Sequence, residues 1–426
     1  MEALLLFSTL IFLIAISVPI GITLGLSTLI CIAFTSNIPL TILAQKSVTG
    51  LDSFPLLAIP FFILAGALMC NGGISRRLVN LAESLVGFIT GGLAMVTVLA
   101  CMFFAAISGS GPATVSAIGS FMIPSMKERG YHGDFAAAIT AASGTIGVII
   151  PPSIPFVIYC IVAQTSIGDL FIAGVVPGVI IGLALMLVCY LTARKRHYLS
   201  STERPSFKAV RNAFREAVWA LVVPVIILGG IYGGIFTPTE AAVVAVVYSI
   251  VIGKFVYREL DFKTLYECLR MTGLINGATE FMIGFSMAFA SYLTLAQIPA
   301  HIGAWLRGYS SSPAVILMFI NVFLLILGCF VDNIAAVIIL TPILLPVVKA
   351  IGVDPVHFGL IITVNLACGF VSPPYGINLF VASAISGESI ENISVAIIPS
   401  FIAMVACLLL FTWFPSLSLG LLHLLR

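Results

Sequence analysis

Apolar runs long enough for a bilayer alternate with short polar stretches along the whole chain. Leu4–Phe34 is apolar apart from scattered hydroxyls and contains Pro19, which predicts one tilted or kinked transmembrane segment. Thr35–Asp52, a mixed stretch with Lys46, predicts an amphipathic helix lying along the interface. Residues 54–70 are apolar again and stop at Asn71-Gly72-Gly73. Ser75-Arg76-Arg77 and Glu83 mark a second interfacial region. Gly91–Ile107 then leads into a polar tip, Ile107-Ser108-Gly109-Ser110-Gly111-Pro112-Ala113-Thr114. The chain returns through Ser116–Met126 to Lys127-Glu128-Arg129-Gly130. These flanks leave no room for a water-exposed loop between two full spans. They predict a segment that enters the bilayer, breaks and turns back, which is tolerated only where it is buried in protein or lines a cavity.

The next run, Phe135–Gln164, is broken at Ser143-Gly144-Thr145-Ile146-Gly147-Val148-Ile149-Ile150-Pro151-Pro152-Ser153-Ile154-Pro155. Three prolines without backbone donors predict two half-helices joined by unwound backbone. Leu170–Leu191 reads as a span, and Arg194–Glu216 as a strongly basic loop, cytoplasmic by the positive-inside rule. Ala217–Ile235 and Ala241–Ile252 flank Thr237-Pro238-Thr239-Glu240, and Lys254–Arg270 is a second charged, cytoplasmic connection. Apolar runs follow at 271–295 and 313–330, then a second polar tip, Gly328-Cys329-Phe330-Val331-Asp332-Asn333-Ile334-Ala335, and a return to Pro346 and Lys349. Residues 357–385 are interrupted at Cys368-Gly369-Phe370-Val371-Ser372-Pro373-Pro374-Tyr375-Gly376. The polar linker Ser386–Asn392 precedes a last span, Ser394–Trp413.

Composition fixes the class. Of 426 residues, 60% are hydrophobic and 8% charged, against about 25% charged in a soluble domain. Mean hydropathy is +1.19. The chain is an all-α polytopic membrane protein. The first run is too long for a signal-peptide core and lacks a basic n-region. Topology accounts for the basic loop, so a nucleic-acid partner is not implied. The 9 cysteines lie in apolar runs without metal spacing. The histidines at 132, 197, 301, 357 and 423 pair with no ligand set, so no transition-metal site is expected. No phosphate-binding G-x-x-x-x-G-K-[ST] motif is present.

The two tips belong to a repeat. At a shift of 222 positions Ala113 falls on Ala335, Pro124 on Pro346, Lys127 on Lys349, Gly130 on Gly352, Gly147 on Gly369, and Pro177 on Pro399. Pro151-Pro152 falls on Pro373-Pro374, so four of the six prolines between Ser108 and Pro177 find a partner without a gap. Paired broken segments in two halves predict a secondary transporter whose site lies where the breaks meet. Counting spans from Lys127 to the basic loop roots the first hairpin in the cytoplasm. An inverted repeat would root the second outside.

Unwound backbone offers carbonyl oxygens, and helix C-terminal ends and hydroxyls help hold a hard monovalent cation. One sodium site would combine Ser108, Gly109 and Ser110 with Gly144, Thr145 and Val148. A second would combine Gly328, Val331 and Asp332 with Gly369 and Ser372. Half-helix N-termini at Pro112/Ala113 and Asn333/Ile334 present free N–H groups suited to a carboxylate. Ser110, Thr114, Ser153, Asn333 and Asn378 would add directed hydrogen bonds to substrate. The bland alternatives are helix packing by small residues near Ser110 and a structural hydrogen-bonded acid at Asp332. A cap or subunit contact is the alternative for Glu240, and Glu280 has no assigned role.

The blocks GSGPATVSAIGSFMIP, PPSIPFVIY, DNIAAVIILTPILLP and PPYGINLFVAS resemble the large membrane subunit of tripartite ATP-independent periplasmic (TRAP) transporters, along essentially the whole chain. In detail they resemble the sialic-acid branch, with the C4-dicarboxylate branch as the rival. The resemblance implies an elevator-type fold with an inverted repeat, two re-entrant hairpins and two broken helices. Scaffold segments would be 1–90, 167–312 and 387–426, and transport segments 91–166 and 313–386. It implies sodium-driven import of a carboxylated solute across a bacterial inner membrane, without enzymatic chemistry. It also implies a periplasmic substrate-binding protein and a small four-helix membrane subunit, separate here because the chain begins at Met1 almost directly with the large-subunit pattern. A channel and a membrane-embedded enzyme are the rival classes.

Overall fold

The first apolar run is two helices, not one span. α1 (Glu2–Ala15) and α2 (Ile20–Thr35) are separated at Ser17, which takes the left-handed φ of 62°, and at Pro19, which has no donor to continue a ladder. At 1.5 Å per residue, helices of this length reach only about 21–24 Å, short of a bilayer core. They fold back on each other, with Cys31 Sγ 3.4 Å from the Glu2 carbonyl. The computed structural model describes residues 2–35, 39–198, 206–309, 312–373 and 376–425, and every regular element among them is helical.

The interfacial stretch forms α3 (Thr41–Thr49), and a 3₁₀ turn at Phe54–Leu57 enters α4 (Ala58–Asn71). In α5 (Ile74–Val86), Ile74, Leu78, Leu81 and Ala82 are buried on one face while Arg76 and Asn80 are exposed. Then come α6 (Gly92–Ser108), α7 (Gly111–Glu128), α8 (Gly133–Gly144), α9 (Ile154–Ala163) and α10 (Ile167–Arg196). The expected loop Arg194–Glu216 is shorter than the sequence suggests. α10 carries its basic residues to Arg196, where they complement the helix dipole. α11 (Phe207–Tyr232) begins early because the Ser206 hydroxyl accepts from the Ala209 N–H at 3.2 Å. The middle of that stretch, with Glu203 and Arg204, lies outside the described residues.

α12 (Pro238–Val251) opens on a capping box in which Thr237 and Glu240 each bond the other's backbone. This gives Glu240 the helix-capping part, and Glu280 accepts from Asn276 at 2.9 Å within its own helix. α13 (Phe262–Leu295) absorbs most of the second charged connection as helix. α14 (Ile298–Tyr309), α15 (Pro313–Gly328), α16 (Asn333–Ala350), α17 (Pro355–Gly369) and α18 (Ile377–Ser386) follow. α19 (Ile390–Ala396), α20 (Ile398–Trp413) and α21 (Ser416–Leu425) end the chain. The sequence pattern did not single out α21 as an element.

By length and composition five described helices can cross a membrane: Phe54–Asn71, Ile167–Arg196, Phe207–Tyr232, Pro238–Val256 and Asn333–Ala350. A sixth crossing is formed if α19 and α20, bent by 54°, count as one span. The protein is therefore an all-α polytopic membrane protein.

Packing sorts most helices into two groups, which meet where α5 and α4 pack on α6 and α13 packs on α16. α2, α3 and α4 pack on α13, α4 also on α12, and α11 on α5 and α12. α6 to α9 pack together with α16 to α18, and α10 joins them through α6, α17, α20 and α21. α19 packs on α8 and α18, and α20 on α17. Element bounds recur at the same shift of 222 positions: α7 (111–128) matches α16 (333–350), and α8 and α17 start at 133 and 355.

Candidate functional site

Two residues separate α6 from α7. Gly109 adopts the left-handed φ of 63° that ends a helix, and Ser110 is extended with Pro112 in the first turn that starts the next. Thr97 near the start of α6 lies 3.9 Å from Met126 Sδ near the end of α7, so the pair is an antiparallel hairpin. A helix C-terminus and a helix N-terminus therefore meet at one buried point. There the Thr114 hydroxyl donates to the Ser110 carbonyl at 2.7 Å and lies 2.8 Å from the Ser108 hydroxyl.

This tip is set into the interruption between α8 and α9. α8 tightens into a 3₁₀ turn at Thr145–Val148, and irregular backbone runs to Ser153. The Ile154 N–H donates to the Gly109 carbonyl at 3.3 Å. A Cβ on Gly147 would lie 2.5 Å from Thr114 Oγ1 and 2.6 Å from the Ser110 carbonyl oxygen, so only glycine permits this approach. One on Gly144 would overlap the Val115 side chain. Ser108, Gly109, Ser110, Thr114 and Gly144 thus come together.

Three other candidates make hydrogen bonds of their own. The Thr145 hydroxyl donates to the Ala142 carbonyl at 2.6 Å and faces Met404 of α20. The Val148 carbonyl accepts from Ser153 Oγ at 2.6 Å, and that hydroxyl also caps α9 by accepting from the Phe156 N–H.

The second tip is built differently. Cys329, Phe330 and Val331 turn back on the last carbonyls of α15, and Asp332 caps α16 by accepting from the Ile334 N–H at 3.0 Å. Gly328 abuts Gly369 so closely that a Cβ on Gly369 would overlap the Gly328 carbonyl group. Cys329 Sγ lies 2.9 Å from Ser372 Oγ. Gly328, Gly369 and Ser372 are therefore in one place, while Asp332 lines an open groove of about 530 Å³ with Gly21, Gly277, Phe281 and Ala335. Asn333 is 1% exposed, and neither of its amide atoms has a hydrogen-bond partner among the described residues. Of the predicted interruption, Pro374 and Tyr375 lie outside the described residues.

The two tips share a wall. Phe370, just past α17, touches Gly111 at the start of α7; a Cβ there would be 3.0 Å from its ring. Asn378 of α18 donates to the Ala141 carbonyl of α8 at 3.0 Å, and its own buried Oδ1 has no partner among the described residues. Gly147, Phe370 and Cys329 were not among the sequence candidates. Gly147 was legible as a glycine inside a break that recurs at Gly369. The other two carry no sequence signal for their contacts.

The donor set around the first tip is neutral hydroxyls and carbonyls beside a helix C-terminus. That chemistry fits a hard monovalent cation and lacks the carboxylates a divalent ion requires. The unpartnered amide of Asn333 and the unpartnered Oδ1 of Asn378, both buried, fit a polar solute, since such groups left unmatched cost about 1–3 kcal/mol each. Among the described residues no group of three or more His, Cys, Asp or Glu side chains can hold a metal ion.

Comparison with known proteins places these features in a family. The family described as "Tripartite ATP-independent periplasmic transporter, DctM component" matches residues 7–417. The chain is 50% identical to the isethionate TRAP transporter permease protein DctMQ of Oleidesulfovibrio alaskensis, over 95% of this chain but 64% of the relative's length. It is 44% identical to the C4-dicarboxylate TRAP transporter large permease protein DctM of Pseudomonas aeruginosa, over 94% of this chain and 93% of that one. The sialic acid TRAP transporter large permease protein SiaM of Vibrio cholerae is 38% identical over 94% of each chain, so the sialic-acid branch has no special claim. The crystal structure of the Alcanivorax borkumensis YdaH transporter shares the fold, with a TM-score of 0.65, 14% identity and 89% coverage of each chain.

Proposed function

Because the chain belongs to the DctM component family of tripartite ATP-independent periplasmic transporters, we propose that it is the membrane permease of a sodium-coupled importer for a small organic anion. The observation that carries this reading is the pairing of two helix-end tips with two helix interruptions around one shared wall. Sodium would be cargo at the tips. Ser108, Thr114, Gly109, Ser110 and Gly144 would hold one ion, and Gly328, Val331, Gly369 and Ser372, with Asp332 beside them, a second. The anion would sit between the tips, held by the α7 and α16 N-termini and by Asn333 and Asn378. Occupation of the ion sites orders both tips and so favours anion binding; by linkage, the anion favours the ions equally.

Side-chain contacts support an inverted arrangement of the two halves. Lys127, at the root of the first hairpin, donates to the Ser386 carbonyl at the far end of α18, at 3.0 Å. Tyr159, in the second half of α9, donates to the Pro355 carbonyl beside the root of the second hairpin, at 2.6 Å. Each hairpin root thus neighbours the far end of the other half's broken helix. If each broken helix crosses the membrane, the two roots lie on opposite sides. α7 against α18 and α16 against α9 repeat the same exchange. The two packing groups suit an elevator motion in which α6–α10 and α15–α21 travel along α2–α5 and α11–α13. Delivery by a periplasmic binding protein and support from a small membrane subunit complete the reading. The Arg194–Glu216 region would face the cytoplasm of an inner-membrane protein.

For the substrate, a short acid of the C4-dicarboxylate or sulfonate kind is the better reading, because relatives named for such substrates are 44% and 50% identical. The test is uptake by proteoliposomes holding the permease with its small subunit and cognate binding protein. Succinate, isethionate and sialic acid would each be offered with and without an inward sodium gradient. Sodium-driven uptake of one of the two short acids is expected. Accumulation of sialic acid alone would return the chain to the other branch, and saturable uptake indifferent to sodium would remove the coupling ion.

A further inference from the structure

A hydrogen-bond relay runs through the apolar interior from the second interruption toward α20. Asn365 of α17 donates to Asn321 Oδ1 of α15 at 2.8 Å and also to the Ile361 carbonyl at 3.0 Å. Asn321 donates to Thr412 Oγ1 of α20 at 2.9 Å, and Thr412 donates to the Leu408 carbonyl at 2.9 Å. All three side chains are at most 5% exposed. The network leaves no freedom of orientation. Thr412 spends its one proton on Leu408, so Asn321 must present its NH₂ to Thr412 and its oxygen to Asn365. Asn365 faces two acceptors and must turn its NH₂ toward both. Its own Oδ1 is buried and has no partner among the described residues.

A relay that served only to glue helices would not end on a stranded buried acceptor, because that oxygen carries an uncompensated desolvation cost. Asn365 also lies one helical turn before Gly369, and Asn321 lies two turns before Gly328, so the Asn321–Asn365 and Gly328–Gly369 contacts fall on the same pair of helix faces. The Cys329–Ser372 contact continues the same seam. The outer arm of the second hairpin is therefore keyed to α17 first by a buried amide pair and then by touching backbones.

We propose that Asn321 and Asn365 are positioning residues for the second tip site, a role that rests on the sodium-coupled reading above. The relay fixes the register of α15 against the last turn of α17, and so the placement of the Gly328 and Gly369 carbonyls. The Asn365 Oδ1 supplies a buried acceptor beside that turn for the water or cation that occupies the site. α20 sets the far end of the relay, which ties the geometry of the second tip to the helix packed behind it.

The experiment measures uptake against sodium concentration for Asn321→Ala, Asn365→Ala, their double variant and Thr412→Val, alongside thermal unfolding in detergent. Each alanine variant should raise the half-saturating sodium concentration by about tenfold, with the maximal rate at saturating sodium retained. The double variant should be no worse than the poorer single, because the two act as one unit. Thr412→Val keeps its volume and shifts the same constant in the same direction. It provides the reading if the alanine variants do not fold. Lower melting temperatures with half-saturation within twofold of the native protein would reduce the relay to structural glue. A native protein that transports without sodium dependence would overturn the underlying function instead.

Discussion

Ser108 is the donor to Thr114 across 2.8 Å, because the one proton of Thr114 already goes to the Ser110 carbonyl. The first tip thus holds a short directed chain in which Ser108 accepts only a long bond from the Ser110 N–H, at 3.5 Å, and Thr114 closes the loop between two helix ends. Thr114→Val preserves shape and removes both side-chain bonds, leaving the Ser110 carbonyl only the backbone N–H of residue 114, at 3.1 Å. The expected result is a half-saturating sodium concentration raised by about tenfold, from the loss of two buried hydrogen bonds worth about 0.5–1.5 kcal/mol each. Uptake measured over a sodium titration checks it, and an unchanged curve would leave the pair as helix packing only.

Gly147 is the clearest steric test. An added Cβ would meet the Ser110 carbonyl oxygen at 2.6 Å and Thr114 Oγ1 at 2.5 Å, and the backbone cannot move aside without opening the tip. Gly147→Ala should lower uptake by more than about tenfold while the protein still inserts, since strain of a few kcal/mol is concentrated at one contact. Gly229→Ala is the matched control, because a Cβ there meets nothing within 4 Å. Equal activity in the two variants would show that the tip and the interruption are not in contact during transport.

Asp332 has an observed job and a proposed one. Its Oδ2 caps α16 through the Ile334 N–H, a task asparagine performs about as well. Asp332→Asn should therefore hold thermal stability near the native value while removing the charge from the second tip. Asp332→Ala should lose about 1 kcal/mol of stability as well. Sodium activation should fall in both variants. If Asp332→Asn takes up substrate with the native sodium dependence, the residue is a cap and nothing more.

Much of this was legible from local chemistry. Clustered glycine and proline weaken a helix, so Gly109, Pro112, Pro151 and Gly369 announce the ends and interruptions that the structure contains, whereas the isolated Pro124, Pro177 and Pro224 sit inside helices. The repeat was legible because Pro124, Gly147, Pro151, Pro152 and Pro177 recur at a fixed distance. Contacts made by the tips were not. Asn378 reaches Ala141 across 237 positions, and Phe370 meets Gly111, because the two halves interleave. No local pattern encodes that. The Leu4–Phe34 run misled for a related reason. Its hydropathy is continuous, and only Ser17 and Pro19 mark a fold-back that two short helices stabilise by packing on each other and on α13. Charged stretches misled in the other direction, since helix dipoles and caps let Arg196 and Phe207 remain in helices where polarity alone suggested loops.

Orientation gives the last prediction, because the proposed inversion makes a claim about sidedness that no single helix makes. Glu128 closes α7 at the root of the first hairpin, and Lys349 lies in the last turn of α16 at the root of the second. Both are exposed, as is Lys208 at the start of α11. Like-oriented halves would put positions 128 and 349 on the same face of the membrane. Inverted halves put them on opposite faces, and the basic residues around Arg194–Arg196 and Lys208 place position 128 with the cytoplasm. The nine native cysteines are buried or half-buried, so single exposed cysteines can be read against a low background. In intact cells a membrane-impermeant thiol reagent should label Lys349→Cys, and should reach Glu128→Cys and Lys208→Cys only after the membrane is opened. Labelling of 128 and 208 but not 349 would keep the inversion and turn the whole protein over. Labelling of 128 and 349 from one side would be fatal to the inverted repeat, whatever the transport assays show.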